Sequence, residues 1–309
     1  MPASSVAVQG QLCQPASDAT TSVVVGPPWS DGVVRDLLFE RSRRDSRTRD
    51  LERFVGVTPV RLTVAEAAGR LSFSWESEST VFDESTFFRD MGAVEMIAVL
   101  DSLPPPSLRY SVSGERGVEI ENIEDLRAWP AKFLRSFASA SSESERLEQV
   151  EQVEQMYAAM PSEVIAERFA DLPGLLHYLD GSEFRPGEVR EVPDLVPNLL
   201  GGEPIPATTR HEVLDLIDDD GCVAIKVRTV PDTEAFTAVV LETLRQRLPG
   251  SLTEEDLRAE LGRLEIELTT IAQFDVGSGF VRRVTSTQRI GSGSHIRIDT
   301  TVITDMTAG

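Results

Sequence analysis

The chain has 309 residues, 40% of them hydrophobic, and its 51 acidic residues outweigh 30 basic ones to give a formal net charge of −21. This apolar share suffices for a buried core and excludes a wholly disordered protein. The negative charge repels nucleic-acid phosphates, so we expect no nucleic-acid partner. No run approaches the ~18 apolar residues of a transmembrane helix, so we expect no membrane span.

The first 29 residues are rich in Ala, Ser, Thr, Gln and Pro, which predicts a disordered tail over 1–29. This segment lacks the basic start and the continuous apolar core that mark a signal peptide. The default location is therefore cytoplasmic, with export as the alternative if a leader has been lost. The chain has two cysteines, Cys13 and Cys222, and the sequence leaves open whether they are bridged.

The first structured stretch alternates apolar and polar residues. Leu71, Phe73 and Trp75 alternate with polar neighbours after a turn at Gly69. A period of two is typical of an antiparallel strand with one buried face. The pattern predicts strands near 32–42, 57–65 and 69–77.

A helix and two short strands follow. Ser85 is a candidate N-cap for an apolar segment that ends before Pro104. Short strands are predicted near 108–113 and 118–120.

A helical block is predicted over 122–180. Asn122 followed by acidic residues is a sound helix start, and Pro130 is expected to kink or restart the helix. Apolar residues then recur at three- and four-residue spacing opposite a Glu/Gln face, which favours an amphipathic helix on the protein's own core.

The rest of the chain repeats the plan of strands and helices. Five prolines within 181–206 predict an irregular connector. Beyond it we predict helices starting at Asp232 and at Ser251 or Thr253. The predicted strands of this part are 207–217, 221–230, 264–275, 279–289 and 295–303.

These elements predict an α+β fold. We expect curved antiparallel sheet built from two hairpin–helix–hairpin halves, with the helical block at about 122–180 packed on it. The predicted units are a first β-unit with the helical block over 30–185 and a second β-unit over 186–309, which form either two domains or one continuous domain.

Motifs that carry chemistry are absent from the sequence. His177, His211 and His295 are its only histidines, none has a partner at metal-ligand or catalytic spacing, and all three are expected on the surface or in the sheet. No cofactor and no metal site are predicted. Acidic pairs are abundant, which keeps a hydrolase using paired carboxylates as an alternative.

The leading interpretation is a non-enzymatic binding or interaction protein. A curved sheet covered by helices encloses a concave, mostly apolar space, so the expected partner is an apolar small molecule or another protein. A structural or assembly role is the third alternative. The candidate ligand-binding residues are Phe73, Trp75, Phe87, Phe88, Met91, Met96, Tyr110, Trp129 and Phe133.

Two stretches carry a resemblance to known sequences. In the first, Pro105 to Val112 lead through Gly117 and Val118 to Glu121 and Asn122; in the second, Pro197 to Pro204 are followed by Phe274 to Val284. They resemble uncharacterised bacterial proteins whose hairpin-and-helix plan is similar to that of LolA-type lipoprotein carriers. The resemblance implies a hairpin-and-helix fold and, in those proteins, export. It assigns no functional residue here.

Overall fold

The computed structural model describes residues 22–26, 29–46, 52–82, 103, 106–113, 117–140, 145–185, 187–196, 204–216, 222–247, 255, 264–292 and 295–307. Its strands are β1 (Val23–Val24), β2 (Val34–Asp45), β3 (Glu52–Ala67), β4 (Arg70–Ser77), β5 (Val81–Phe82), β6 (Leu108–Ser113), β7 (Gly117–Ile120), β8 (Glu183–Phe184), β9 (Val189–Val196), β10 (Ile205–Leu216), β11 (Cys222–Pro231), β12 (Leu264–Asp275), β13 (Val281–Ser292) and β14 (His295–Asp305). Its helices are α1 (Ile123–Ala140), α2 (Glu145–Ala159), α3 (Ser162–His177) and α4 (Thr233–Arg247).

One antiparallel sheet of twelve strands organises the molecule. Its order is β7-β6-β4-β3-β2-β14-β13-β12-β11-β10-β9, with β5 paired to β3, while β1 and β8 form a separate two-stranded sheet. The last strand, β14, pairs with β2 near the start of the chain, which joins the strands of the two predicted units in one sheet. The predicted α+β class with antiparallel sheet is confirmed.

The helices pack on this sheet as predicted for the block at 122–180. Helices α1 and α2 contact each other, α1 contacts α3, and α3 lies against β7 and β13. Helix α4 contacts β10 and β12. Pro130 lies inside α1, which continues through it to Ala140 instead of restarting.

The prediction of an irregular connector over 181–206 is wrong for the middle of this segment. It contains β8 and the eight-residue strand β9, which pairs with β10 along its length. Pro193 lies within β9 because β9 is the last strand of the sheet and needs hydrogen bonds on one side only. Proline density in a sequence therefore does not separate a loop from an edge strand.

Residues 22–26, which belong to the segment predicted as a tail, pack against the rest of the protein. Val25 is completely buried, its N–H donates to the Ser182 carbonyl at 2.8 Å, and its carbonyl accepts from Gly181 N at 2.7 Å. These bonds fix residues 22–26 on the turn that follows α3. Residues 1–21, including Cys13, lie outside the described residues, as do the helix predicted after Ser85 and, apart from the helical Glu255, the one predicted from Ser251 or Thr253.

The sheet is strongly curved. The Trp29 indole contacts Phe73 on β4 and Phe280 just before β13, with ring centroids 5.4 and 5.1 Å away. Strands four positions apart in a flat sheet are separated by about 19 Å, so one indole reaches both only if the sheet bends around it. The face toward Trp29 and α3 is the concave face.

The opposite, convex face is wet and charged. Arg228 donates to Glu267 at 2.9 Å, Arg210 pairs with Glu191 at 3.2 Å, and Arg61 donates to Asp36 at 2.9 Å, each across neighbouring strands. Exposed cross-strand pairs of this kind contribute little stability, but they keep the convex face soluble. One buried face and one solvated face is the arrangement that period-two alternation predicts.

A partly buried arginine joins α1 to the turn between α2 and α3. The Arg127 guanidinium donates to the carbonyls of Tyr157 and Met160 and to Ser162 Oγ. We expect Arg127→Met to lower the free energy of unfolding by about 2 kcal/mol, because it leaves helix-terminal carbonyls without a donor. Urea unfolding followed by circular dichroism measures this loss.

Arg135→Met is the matched control on the same helix. The Arg135 side chain is 61% exposed and pairs with Glu154 at the surface, so its loss should change stability by less than about 0.5 kcal/mol. Equal effects of the two substitutions would contradict the bridging role of Arg127.

Candidate functional site on the concave face

Strand register divides the concave face into three zones. Residues directly opposite each other on paired strands, and alternate residues along a strand, share a face. By this rule, one set of apolar residues from five neighbouring strands shares the concave face. This apolar zone consists of Phe73, Leu62, Phe39, Ile303 and Val284. A band of hydroxyl side chains and then a group of charged side chains follow it along β14 and its neighbours.

An aromatic cluster fills the centre of the apolar zone. Phe73 and Tyr110 lie opposite each other on β4 and β6 and stack with centroids 5.1 Å apart. His177 at the end of α3 meets Phe73 edge-on at 4.9 Å, and Trp29 contacts His177 at 5.2 Å. Phe73, Tyr110 and His177 are all buried, so this part of the concave face is filled by the protein's own rings.

His177 connects two polar groups inside the cluster. Its Nδ1 lies 2.7 Å from Asp180 Oδ2 and its Nε2 lies 3.1 Å from the Tyr110 hydroxyl, with a side chain only 2% exposed. A carboxylate oxygen only accepts, so Nδ1 carries a proton and donates to Asp180. In the neutral ring Nε2 then accepts from the Tyr110 hydroxyl. Burial, and secondarily the Asp180 carboxylate, raise the pKa of Tyr110, which keeps that phenol protonated.

Asp180 ties the N-terminal segment to this network. Trp29 Nε1 donates to Asp180 Oδ2 at 3.1 Å, so one carboxylate oxygen accepts from both Trp29 and His177. A Cβ on Gly26 would lie 2.8 Å from the Gly181 nitrogen, closer than backbone atoms allow. Glycine at position 26 is thus required for the close approach that brings Trp29 to Asp180.

A band of hydroxyl side chains, all buried except the half-buried Thr301, crosses the concave face beside the apolar zone. Its members are Thr301, Ser286, Thr270, Thr229 and Thr209, on the adjacent strands β14 to β10. Thr270 Oγ1 donates to Ser286 Oγ at 3.3 Å, and the Thr209 and Thr229 hydroxyls lie 2.7 Å apart. Thr209 donates to Asp194 at 2.6 Å, so Thr229 is the donor to Thr209. These bonds offset the cost of burying the hydroxyls.

The charged patch lies beyond this band, at the ends of β2 and β14. We define it as Arg41, Arg43, Asp45, Arg297 and Asp299. Asp299 accepts from Arg43 Nε at 2.6 Å and from Arg297 Nε at 2.8 Å. Burial alone raises the Asp299 pKa, but the bonds to both arginines outweigh it and hold that pKa below its usual value. Asp299 is therefore an ionised anchor between two arginines.

The structure brings some of the sequence-predicted ligand residues together. Phe73, Trp75 and Tyr110 are neighbours in the buried apolar zone, and Trp129 stacks on Phe133 at 5.4 Å along α1, both half-buried. The remaining candidates lie outside the described residues, namely Phe87, Phe88, Met91 and Met96. Ligand contact by any of these side chains remains a prediction.

One acidic pair on α3 bears on the hydrolase alternative. Partial desolvation by neighbouring protein atoms raises the pKa of Asp171, the nearby Arg41 lowers it, and Glu167 one turn away adds a smaller upward contribution. Both acids are exposed to solvent, so this pair lacks the enclosure that holds a catalytic acid protonated at neutral pH.

Sequence reasoning missed the centre of the site. Trp29 falls in the predicted tail, and His177 is buried instead of lying on the surface or in the sheet. His211 and His295 do lie on sheet strands, β10 and β14. The available signal was the three-residue spacing of His177 and Asp180 just before Gly181, which places an acceptor beside a helix-terminal histidine.

The described residues include neither a metal-ligand cluster nor a membrane-spanning helix. Across the described ranges, no three His, Cys, Asp or Glu side chains are grouped to hold a metal ion. Among the helices described above, none is long and apolar enough to cross a membrane.

The comparisons with known proteins include a distant structural similarity. No protein-family model matches the chain, and no curated protein sequence matches it. A structure of lipovitellin, determined for its lipid–protein interactions, superposes with a TM-score of 0.42 at 8% identity over 89% of this chain. The chain spans 25% of that lipovitellin chain, and at this level of similarity no property is transferred.

Proposed function

We propose that the protein is a non-enzymatic binding protein that holds an apolar ligand between the concave face of its sheet and the helices. The observation that carries the proposal is the continuation of the concave face beyond the filled aromatic cluster. On that face Leu268 is 36% exposed and Arg41 is exposed, so solvent reaches it. Concave surfaces with an apolar zone and a few placed polar groups are the usual setting for small-molecule sites.

The position of the ligand follows from what is already filled. Phe73, Trp75 and Tyr110 are at most 4% exposed, so they supply the closed end of the proposed site. The half-buried Phe39 lies where the apolar zone meets the charged patch, two residues from Arg41 on the same strand. The ligand is therefore placed over β2, β14 and β13, with its apolar part toward Phe39.

A pair of adjacent threonines on β14 allows a matched test. Thr301 lies on the concave face opposite Ser286, and Thr300 points to the convex face; both are half-buried. We expect Thr301→Phe to weaken binding of monopalmitoylglycerol by about tenfold, because the ring occupies ligand space. Thr300→Phe should leave binding unchanged. Titration calorimetry, with lipid extraction and mass spectrometry of the purified protein, measures both.

Two results would overturn the proposal. One is the absence of both copurified apolar molecules and monopalmitoylglycerol binding in the intact protein. The other is equal loss of binding in Thr300→Phe and Thr301→Phe, because the concave face would then have no special part in binding.

The edge strand β9 gives little support to the alternative of a structural or assembly role. β9 exposes Val189 by 48% and Leu195 by 62%, and among the described strands it pairs only with β10. However, Pro193 and the charged residues of β9 are features that protect an edge strand from pairing with another chain. Light scattering after size exclusion tests this alternative directly.

A further inference from the structure

The charged patch alternates in sign across two strands. Arg43 on β2 lies opposite Asp299 on β14, and Asp45 lies opposite Arg297. Arg41 lies opposite Thr301, at the end of the hydroxyl band. All five patch residues project from the concave face, and Arg41 and Arg43 are about 7 Å apart along their strand.

Two arginines of the patch have terminal donors that no described residue accepts from. Arg43 bonds to Asp299 through Nε, its side chain is 44% exposed, and no described residue bonds to its two terminal nitrogens. Arg41 is exposed and has no hydrogen bond or ion pair with any described residue; Asp171 on α3 acts on it electrostatically. Two guanidinium groups on one face, with terminal donors available, match the oxygens of a phosphate.

The acids around these arginines decide what kind of phosphate fits. Among the described side chains of this region, Asp45, Asp171 and Asp299 equal Arg41, Arg43 and Arg297 in number, so both signs are locally concentrated. The net charge of −21 further opposes a ligand carrying excess negative charge. A head group with a phosphate and its own cation meets both conditions, because the phosphate faces Arg41 and Arg43 and the cation faces the exposed Asp171 carboxylate beside Arg41.

Apolar surface begins immediately beside the patch. Phe39 precedes Arg41 by two residues on the concave side of β2, and Ile303 lies directly opposite Phe39 on β14. A head group at Arg41 and Arg43 thus leaves a hydrocarbon chain within reach of the half-buried Phe39, whereas Ile303 is 1% exposed and already covered by the protein.

We infer that the charged patch binds the zwitterionic phosphate head group of an amphiphile whose hydrocarbon chain occupies the apolar site. This inference rests on the proposed function and names the ligand class for the same site. The hydroxyl band, which begins at Thr301 opposite Arg41, supplies the polar surface between head and chain.

The experiment compares three palmitoyl probes on the full-length protein by titration calorimetry below their micellar concentrations. They are palmitoyl-lysophosphatidylcholine, palmitoyl-lysophosphatidic acid and monopalmitoylglycerol. We expect the zwitterionic probe to bind about tenfold more tightly than the other two. Arg41→Gln with Arg43→Gln should remove that advantage and leave monopalmitoylglycerol binding unchanged.

Arg210→Gln with Arg228→Gln is the matched control, since it removes two arginines that are 44% and 49% exposed on the convex face. It should retain the preference. If monopalmitoylglycerol binds but the phosphocholine brings no gain, or if both double variants behave alike, the inference is wrong and the proposed function stands. Tighter binding of lysophosphatidic acid overturns the zwitterionic assignment, and failure of all three probes overturns the proposed function itself.

Discussion

Replacing His177 by Phe is expected to lower the free energy of unfolding by about 3 kcal/mol. The phenyl ring preserves the ring contacts with Phe73 and Trp29, so the loss isolates the two hydrogen bonds. It leaves the buried Tyr110 hydroxyl without its histidine partner and Asp180 with Trp29 as its remaining side-chain donor. Urea unfolding followed by circular dichroism measures the change.

His295→Phe is the control for this substitution. His295 is exposed at the start of β14, so its replacement should change stability by less than about 0.5 kcal/mol. Tyr110→Phe removes the phenol and should cost about 1 kcal/mol, with a smaller added cost in the double variant because the two residues share one bond. A loss below 1 kcal/mol for His177→Phe would show that the network does not stabilise the fold.

Replacing Gly26 by Ala is expected to lower the free energy of unfolding by about 3 kcal/mol. Gly26 has φ +109, and its Cβ would meet the Gly181 nitrogen at 2.8 Å and the Asp180 Cα at 2.9 Å. Both are backbone atoms that cannot move aside without breaking the bonds between Val25 and the 181–182 turn. The same displacement pulls Trp29 away from Asp180, so Trp29 fluorescence should shift as well.

Gly32→Ala separates crowding from backbone strain. Gly32 also has a positive φ, +80, but a Cβ there meets nothing within 4 Å. Its substitution should cost about 1 kcal/mol, the strain term alone. If the two alanine variants are equally stable, the close packing of the N-terminal segment on the 180–182 turn is not a stabilising contact.

Local pattern predicted the sheet strands well where one face is buried. The alternation of Leu71, Phe73 and Trp75 predicts a strand near 69–77, and β4 spans Arg70–Ser77. The strand predicted at 264–275 coincides with β12. Alternation fails at β9, whose edge position exposes residues of both faces and removes the period-two signal.

The candidate site was predictable only in part. Phe73, Trp75 and Tyr110 were identified because apolar residues in alternating strands must be buried somewhere. Trp29 and His177 were not identified. Trp29 lies in a segment without periodicity of its own, and His177 lies at the end of a helix. Their contacts join residues as far apart in the chain as Trp29 and Asp180, and no local signal encodes such a contact.

The sequence by itself determined that the chain forms antiparallel strands with one buried face and a helical block between them. Period two and period 3.6 are local properties that follow from backbone geometry. The tertiary structure alone decided that β14 pairs with β2, that the sheet bends around Trp29, and that Arg41 and Arg43 share the concave face with Asp299. Register and curvature depend on which distant strands meet, and side chains far apart in the chain become a site only after that pairing is made.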